Sequence, residues 1–308
     1  MAAMGATTIE RRDAIDAFAV VMMLMLTCSW GLNQVAIKIA NTGYSPIYLT
    51  MARSAIAAVL VYGWCVWRGI RLFERDGTLW PGILAGALFA AEFMLIFFGL
   101  DYTTAARGAL MINTMPFWVL IGAHFLLGER ITATKLLGLT MAFFGVALVF
   151  LDQLSLPDNA ALIGDLMCLA AGILWGATTL VIKKSKLSDA SAEKTLLYQL
   201  VVSVVVAVPL LPLGGPILRD VSALATGSLL FQAIFVVAFT YILWFWMIRT
   251  YPATGLASFA FLTPAFGVLC GGFLLNEPLS INIFAALALI ALGLLVVNRP
   301  VRRRIPPG

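Results

Sequence analysis

The sequence has little charge and almost no histidine. Of its 308 residues 11% are charged, one is a histidine (His124), and four are cysteines that stand apart from one another. Soluble domains carry about 25% charged residues, so an ordinary water-facing surface is excluded. A lone histidine and the absence of paired cysteines exclude a multi-histidine or Cys-x-x-Cys metal site, and we predict no metal and no cofactor.

The sequence also lacks the patterns of catalysis and nucleotide use. It contains no Gly-x-Ser-x-Gly, no His-Glu-x-x-His and no Gly-x-x-x-x-Gly-Lys-[Ser/Thr], and no charged ring or carbonyl filter typical of channels. The net charge of +5 comes from bases at the ends of apolar segments, which membrane topology explains better than nucleic acid does. The sequence therefore predicts no enzyme and no nucleic-acid partner; an intramembrane enzyme or a channel is the less favoured alternative.

What the sequence does have is long apolar segments. Hydrophobic residues make up 62% of the chain, and the segments approach the roughly 20 residues that a helix needs to cross a bilayer. Barrel strands would instead alternate polar and apolar residues. We predict an all-α integral membrane protein with ten transmembrane helices, at about 17–37, 47–67, 79–100, 106–127, 133–151, 161–182, 194–213, 225–248, 254–275 and 280–297.

Lysine and arginine are distributed unevenly along these segments. With the N-terminus in the cytoplasm, sixteen of the twenty bases are cytoplasmic, and the four others are Lys38, Arg53, Arg107 and Arg219. Cytoplasmic connections are enriched in Lys and Arg. We therefore expect both termini on the cytoplasmic side of a bacterial inner membrane.

The chain repeats itself. The Trp-Gly stretch at 30–38 returns at 175–183, and a proline followed by Phe-Leu-Leu-x-Glu returns 148 residues later. Because five helices is an odd number, the second half enters from the opposite face, which predicts an inverted 5+5 repeat. The predicted organisation is a cytoplasmic segment 1–16, a first repeat 17–152, an external linker 153–160, a second repeat 161–298 and a basic cytoplasmic tail 299–308.

Glu92 lies well inside the third predicted helix. An ionised carboxylate at mid-membrane costs roughly 2.5–3.5 kcal/mol on insertion scales, so such a residue faces a cavity, finds a donor or stays protonated. Glu92 is thus a candidate contact for a substrate amine or a proton site, against the alternative of a glutamate hydrogen-bonded between helices. Its repeat counterpart is Thr240, so the acid belongs to one half.

Other polar and aromatic side chains also fall inside predicted helices. Asn33 aligns with Thr178, each a turn after a tryptophan, and an aromatic run lies in the eighth helix. These side chains could line a cavity, or could serve as interhelical bonds and aromatic packing. The candidate substrate-binding residues are Trp30, Asn33, Glu92, Asn113, Trp175, Thr178, Tyr241 and Trp244.

Proline interrupts one helix in each half. Pro116 and Pro264 each remove a backbone hydrogen bond and free a carbonyl about one turn earlier. Together with Gly31 and Gly176 they are candidate hinge or gating residues, a static kink being the alternative.

These features resemble those of a known family. The inverted duplication, the Trp-Gly in the first helix of each half, and the proline with Phe-Leu-Leu-x-Glu in the fourth resemble the EamA-type members of the drug/metabolite transporter superfamily, over residues 17–298. The chain looks most like YddG-type exporters, which release amino acids, aromatic ones among them. The resemblance implies a central cavity, lined by helices of both halves, that opens alternately to each side.

The resemblance and the residues together predict an exporter of amino acids or similar small metabolites. An exporter of lipophilic or cationic drugs is the alternative within the same class. The expected partners are a small-molecule substrate and the lipid bilayer. The sequence leaves oligomeric state open, with a monomer compatible, and also leaves open whether transport is proton-coupled or uniport.

Overall fold

The computed structural model describes residues 12–151, 159–275 and 282–299. Most of the predicted linker 153–160 and tail 299–308, and most of the segment 1–16, lie outside these ranges. The described residues form helices and no strand. The α-helices are α1 (Ala17–Gly43), α2 (Pro46–Arg68), α3 (Leu79–Tyr102), α4 (Ala105–Ile112), α5 (Met115–Leu127), α6 (Ala133–Val149), α7 (Asn159–Lys184), α8 (Ala192–Leu210), α9 (Ala223–Phe231), α10 (Tyr241–Thr250), α11 (Ala253–Ser258), α12 (Leu262–Leu275) and α13 (Asn282–Val297).

Short polar caps set where these helices begin and end. The side chains of Asp16, Ser45 and Ser191 accept hydrogen bonds from backbone N–H groups in the first turns of α1, α2 and α8. Such caps satisfy donors that the helix itself leaves free. Gly69 and Gly128 end α2 and α5 in the left-handed conformation, with φ of 66° and 73°, which glycine adopts without steric cost.

The described helices are those of a multi-pass membrane protein. Eight helical stretches are long and apolar enough to cross a membrane, so the predicted all-α membrane class is confirmed. The fifth and tenth predicted segments correspond to the apolar helices α6 and α13, of 17 and 16 residues. Helices of that length extend about 24–26 Å, somewhat less than the ~30 Å hydrocarbon core. Crossing by all ten segments therefore stays a prediction.

Three predicted helices are interrupted. The fourth splits into α4 and α5 just before Pro116, and the ninth splits into α11 and α12 around a 3-10 turn, Phe259–Phe261, just before Pro264. The expected break beside each proline is confirmed. The eighth contains a π-helix, Gln232–Thr240, between α9 and α10, which the sequence did not predict.

Helices of the N-terminal part pack mainly on helices of the C-terminal part. α6 packs along α13, α3 along α7 and α8, α2 along α8 and the π-helix, and α1 along α12 and α9. Most of the helix packing is therefore between the two predicted repeats, and the hydrophobic core lies where they meet.

Glycine lets several of these pairs approach closely. A Cβ on Gly138 of α6 would lie 2.6 Å from the carbonyl oxygen of Gly293 in α13, and the reverse holds for Gly293. A Cβ on Gly82 or Gly86 of α3 would collide with α8. Small residues at such crossings allow backbone contact.

We expect Gly138→Ala to lower the free energy of unfolding by about 1–3 kcal/mol, the usual cost of overpacking. Its new methyl group would meet backbone atoms of α13, which cannot rotate away. The matched control is Gly63→Ala in α2, because nothing lies within 4 Å of its added Cβ. Unfolding temperatures of the purified proteins in detergent compare the two. Equal temperatures for Gly138→Ala and the wild type would contradict the crossing geometry.

Candidate functional site

An aromatic cluster lies where α1, α7 and α10 meet. The ring centroid of Trp30 in α1 lies 6.5 Å from Trp175, 6.2 Å from Tyr241 and 5.4 Å from Trp244, each in edge-to-face geometry. The Trp30 Nε1 donates to Thr240 Oγ1 at 3.1 Å. Edge-to-face pairs contribute about 0.5–1.5 kcal/mol beyond their buried area. Four rings predicted to line a cavity are thus brought together from both halves.

A buried arginine and a buried glutamate lie beside this cluster. Arg53 of α2 is 2% exposed and Glu92 of α3 is 6% exposed. The Arg53 guanidinium carbon lies 4.1 Å from the Phe93 ring centroid. Arg53 interacts electrostatically with both Glu92 and Tyr241, and Tyr241 packs edge-to-face on Phe89 at 6.3 Å. A basic and an acidic side chain therefore flank the aromatic surface.

These two charges do not bond each other. Arg53 Nε and Nη2 and Glu92 Oε2 have no hydrogen-bond partner among the described residues, and the same is true of the buried Asn33 Oδ1 and Asn113 Oδ1. Most buried polar atoms in proteins are paired. Ionisable residues inside membrane helices are most often functional, so the unpaired atoms of Arg53 and Glu92 mark a candidate binding site.

Two of the predicted residues bond within their own helices. Thr178 Oγ1 donates to the Leu174 carbonyl at 2.9 Å, and Asn113 Nδ2 donates to the Ala109 carbonyl at 2.8 Å, at the α4–α5 break. Asn33 and Thr178 lie about one turn beyond Trp30 and Trp175 on α1 and α7. Neither hydroxyl nor amide links neighbouring helices through these bonds, and their contact with substrate stays a prediction.

Arg53 is the residue that sequence reasoning missed. It was assigned to the non-cytoplasmic end of a helix because the count of bases considers which side a residue is on and not how deep it lies. Arg53 is seven residues inside α2, so the rule that selected Glu92 applies to it equally. Depth within the segment was the signal that could have found it.

The glycines predicted as hinges have close neighbours. α1 and α7 run through Gly31 and Gly176 without a break. A Cβ on Gly31 would lie 2.7 Å from Gly267 N, and a Cβ on Gly176 would lie 3.3 Å from Trp118 Cβ. These glycines permit close helix packing, and a gating role for them and for the two prolines stays a prediction.

At one end of α3, a buried ion pair joins the two halves. Arg107 of α4 binds Asp165 of α7 through both Nε, at 3.2 Å, and Nη2, and Thr103 Oγ1 donates to Asp165 Oδ1 at 2.7 Å. Arg107 and Asp165 are 9% and 5% exposed. The pair uses both carboxylate oxygens, which is the strongest arrangement for arginine.

At the other end of α3, Asp76 joins the loop before α3 to α8. Lys194 Nζ donates to Asp76 Oδ2 at 2.7 Å, and Thr78 donates to Oδ1 through its hydroxyl at 2.6 Å and its N–H at 3.1 Å. Desolvation opposes ionisation of Asp76, but these hydrogen bonds and the Lys194 charge together lower its pKa to about 2.

Two further contacts tie helices together at this same end. Lys183 Nζ donates to the carbonyls of Ile248, at 2.7 Å, and Tyr251. The ammonium therefore holds α7 to the end of α10. Glu129 Oε1 accepts from Ala253 N at 3.0 Å at the start of α11, as expected of a residue that caps or links helix ends.

Comparison with known proteins places this fold in a family. The model of the EamA-like transporter family matches residues 17–151 and 162–299. The chain belongs to the EamA-like transporter family. It is therefore a transporter by family and a multi-pass membrane protein, which confirms the resemblance read from the repeated Trp-Gly and Pro-to-Glu blocks.

Relatives of this EamA-like transporter match it over nearly their whole length. The uncharacterized transporter YoaV of Bacillus subtilis is 24% identical over 92% of this chain and 97% of its own. An uncharacterized transporter of Archaeoglobus fulgidus is 29% identical over 90% and 98%. A probable amino-acid metabolite efflux pump of Escherichia coli is 25% identical over 93% and 95%.

A solved structure has the same fold. It superposes with a TM-score of 0.80 over 91% of this chain and 96% of that one, at 16% sequence identity. At that identity the likeness concerns the arrangement of helices.

The Asp76 contact predicts a pH dependence of stability. Because the folded pKa is about 2 and the ordinary value is 3.8, the contact stabilises the fold above pH 3.8 and its contribution disappears as the pH falls towards 2. We expect the wild type to unfold at a higher temperature than Asp76→Asn near neutral pH, and the difference to vanish over that acid interval. Glu74→Gln, which changes an exposed acid of the same loop, serves as control. A difference that persists at pH 2 would refute the assignment.

Proposed function

We propose that this EamA-like transporter exports amino acids, aromatic and apolar ones included, or similar small metabolites. The observation that carries the proposal is the placement of two buried, mutually unbonded charges, Arg53 and Glu92, beside the aromatic cluster around Trp30. An amino acid needs polar groups for its two charged ends and an apolar surface for its side chain. The similarity to a probable amino-acid metabolite efflux pump points the same way.

The proposed architecture is ten membrane-crossing helices in an inverted 5+5 repeat, with halves 17–152 and 161–298. Two observations support it. The family model matches two stretches with nearly these bounds. The packing is also paired: α1 packs on α12 as α7 packs on α4 and α5, and α3 packs on α7 as α9 and the π-helix pack on α1. A pseudo-twofold axis in the membrane plane would generate such pairs.

The proposed location is the bacterial inner membrane with both termini in the cytoplasm. The sixteen-to-four distribution of lysine and arginine supports this orientation. In this orientation the Asp76–Lys194 contact lies at the cytoplasmic end of the bundle and the Arg107–Asp165 contact at the external end.

The proposed mechanism is alternating access between these two ends. Each end is held by an ion pair that joins the first half to the second, Arg107 with Asp165 and Asp76 with Lys194. Opening the bundle at one end separates one pair and leaves the other in place. The central site between them would then face one side of the membrane at a time.

Export of lipophilic cations is the second candidate function. An aromatic cage next to a carboxylate also suits a cationic drug, since aromatic faces attract cations. The buried base Arg53, which interacts electrostatically with Glu92, favours the amino acid, because it would repel a purely cationic substrate.

Counterflow in proteoliposomes tests the proposal directly. With a panel of radiolabelled amino acids and cationic drugs, we expect apolar or aromatic amino acids to accumulate. Tyr241→Ala and Asn33→Ala should each lower that flux about tenfold, the effect of losing roughly 1.4 kcal/mol of interaction with substrate. Phe239→Ala, an exposed ring of the adjoining π-helix, is the matched control and should transport normally.

Accumulation of cationic drugs without any amino acid would favour the second candidate. Wild-type flux in both Tyr241→Ala and Asn33→Ala, with correctly folded protein by size-exclusion chromatography, would remove these two side chains from the site.

A further inference from the structure

Arg53 and Glu92 are buried on neighbouring helices without bonding each other. They are 2% and 6% exposed, they interact electrostatically, and no ion pair joins them among the described contacts. Removing charges from water is costly unless good partners replace the water. Elsewhere in the described chain such partners exist, as between Arg107 and Asp165. The fold alone therefore gives no reason to keep Arg53 and Glu92.

The unpartnered nitrogens of Arg53 share one edge of its guanidinium. They are Nε and Nη2, whose N–H groups point in parallel and fit the two oxygens of a carboxylate. Arg107 uses this same edge, with Nε and Nη2 donating to the two oxygens of Asp165. The Arg107–Asp165 pair is thus an example, within this chain, of a two-bond contact between arginine and a carboxylate. Arg53 has the same donors, but no described residue supplies the acceptor.

Residues around Arg53 hold its guanidinium in place and supply the acidic and apolar groups of a binding site. The guanidinium carbon lies 4.1 Å from the Phe93 centroid, so the ring holds the cation while the in-plane edge remains available. Glu92 precedes Phe93 on α3 and has one unpartnered oxygen, Oε2. Tyr241 interacts electrostatically with Arg53 and Glu92. Its ring also packs against Trp30 and Phe89, and the three rings form an apolar face.

We propose that Arg53 and Glu92 bind the two charged ends of one zwitterionic α-amino acid. The α-carboxylate accepts two hydrogen bonds from the Nε–Nη2 edge of Arg53, the α-ammonium donates to Glu92 Oε2, and the side chain lies against Tyr241 and Trp30. This inference rests on the proposed function and narrows it to substrates that carry both charges. It also assigns Arg53 as a specificity-determining residue.

The same geometry explains why the site would reject singly charged molecules. The unpartnered Nε, Nη2 and Oε2 atoms are buried, so the bundle closes around them. A molecule with only a carboxylate leaves Glu92 unmatched, and one with only an ammonium leaves Arg53 unmatched. In a low-dielectric interior an unmatched charge weakens binding strongly.

Phenylalanine and two analogues that keep its side chain test this. Phenylalanine, its amide, which lacks the carboxylate, and phenylpropionate, which lacks the amine, compete for counterflow of radiolabelled phenylalanine into proteoliposomes of the full chain. Leucine, leucinamide and isocaproate form a second set. For the wild type we expect the amino acid to compete at least about tenfold better than either analogue. Equal competition by all three would overturn the inference without any variant.

The variants should lose discrimination selectively. In Arg53→Gln the amino acid should compete no better than its amide, while it still outcompetes the deaminated acid. In Glu92→Gln the amino acid should compete no better than the deaminated acid. Arg53→Lys keeps the charge without the two-pronged edge and should recover only part of the preference over the amide.

Arg107→Gln is the matched control, because it removes a buried arginine whose edge is already bound to Asp165. It should keep both preferences even if it is less stable. Wild-type preferences in Arg53→Gln, with transport intact, would overturn this inference alone. A wild type that carries no amino acid of either set would overturn the proposed function itself.

Discussion

Burying a charge inside a membrane costs free energy, and this helix bundle buries two ionisable side chains, Arg53 and Glu92, beside its aromatic cluster. Helices satisfy the backbone, and most buried side chains find partners, as Trp30 does with Thr240 and Arg107 with Asp165. Arg53 of α2 and Glu92 of α3 are the ionisable residues among those whose buried polar atoms no described residue satisfies. The packing of the surrounding helices offsets the free-energy cost of burying these two residues.

That packing is made almost entirely between the two halves of the chain. Backbone contact at Gly138 and Gly293 fixes α6 against α13, and the aromatic cluster fixes α1 against α7 and α10. Polar contacts then tie the ends of the bundle, while interruptions lie beside Pro116 and Pro264 in its middle. The fold is thus rigid at helix crossings and interrupted where α4 meets α5 and α11 meets α12.

Much of this could be predicted from the sequence because the signals are local. Apolar runs of about 20 residues between polar caps mark the helices, proline marks two of the interruptions, and the repeated Trp-Gly and Pro-to-Glu blocks mark the family. Glu92, an acid well inside a predicted helix, marked the candidate site. These features depend on the residues themselves and not on what they touch.

The rest depends on packing across the chain. The π-helix at 232–240 is apolar except for Gln232 and Thr240 at its two ends, so its sequence does not distinguish it from an α-helix. Asp165 was overlooked because its importance comes from Arg107, 58 residues away. Arg53 was treated as a topology signal because a count of bases on each side of the membrane ignores how deep each base lies in its helix.

The central claim is that the two buried charges serve the substrate and not the fold. The most direct test is the unfolding temperature, in lipid nanodiscs, of the double variant Arg53→Met with Glu92→Gln, with and without phenylalanine. Replacing buried charges by uncharged groups of similar size is often neutral or stabilising. The account predicts an unfolding temperature equal to or above that of the wild type, and no rise on adding phenylalanine, which should stabilise the wild type. A double variant that unfolds several degrees lower, or that phenylalanine still stabilises, would contradict it.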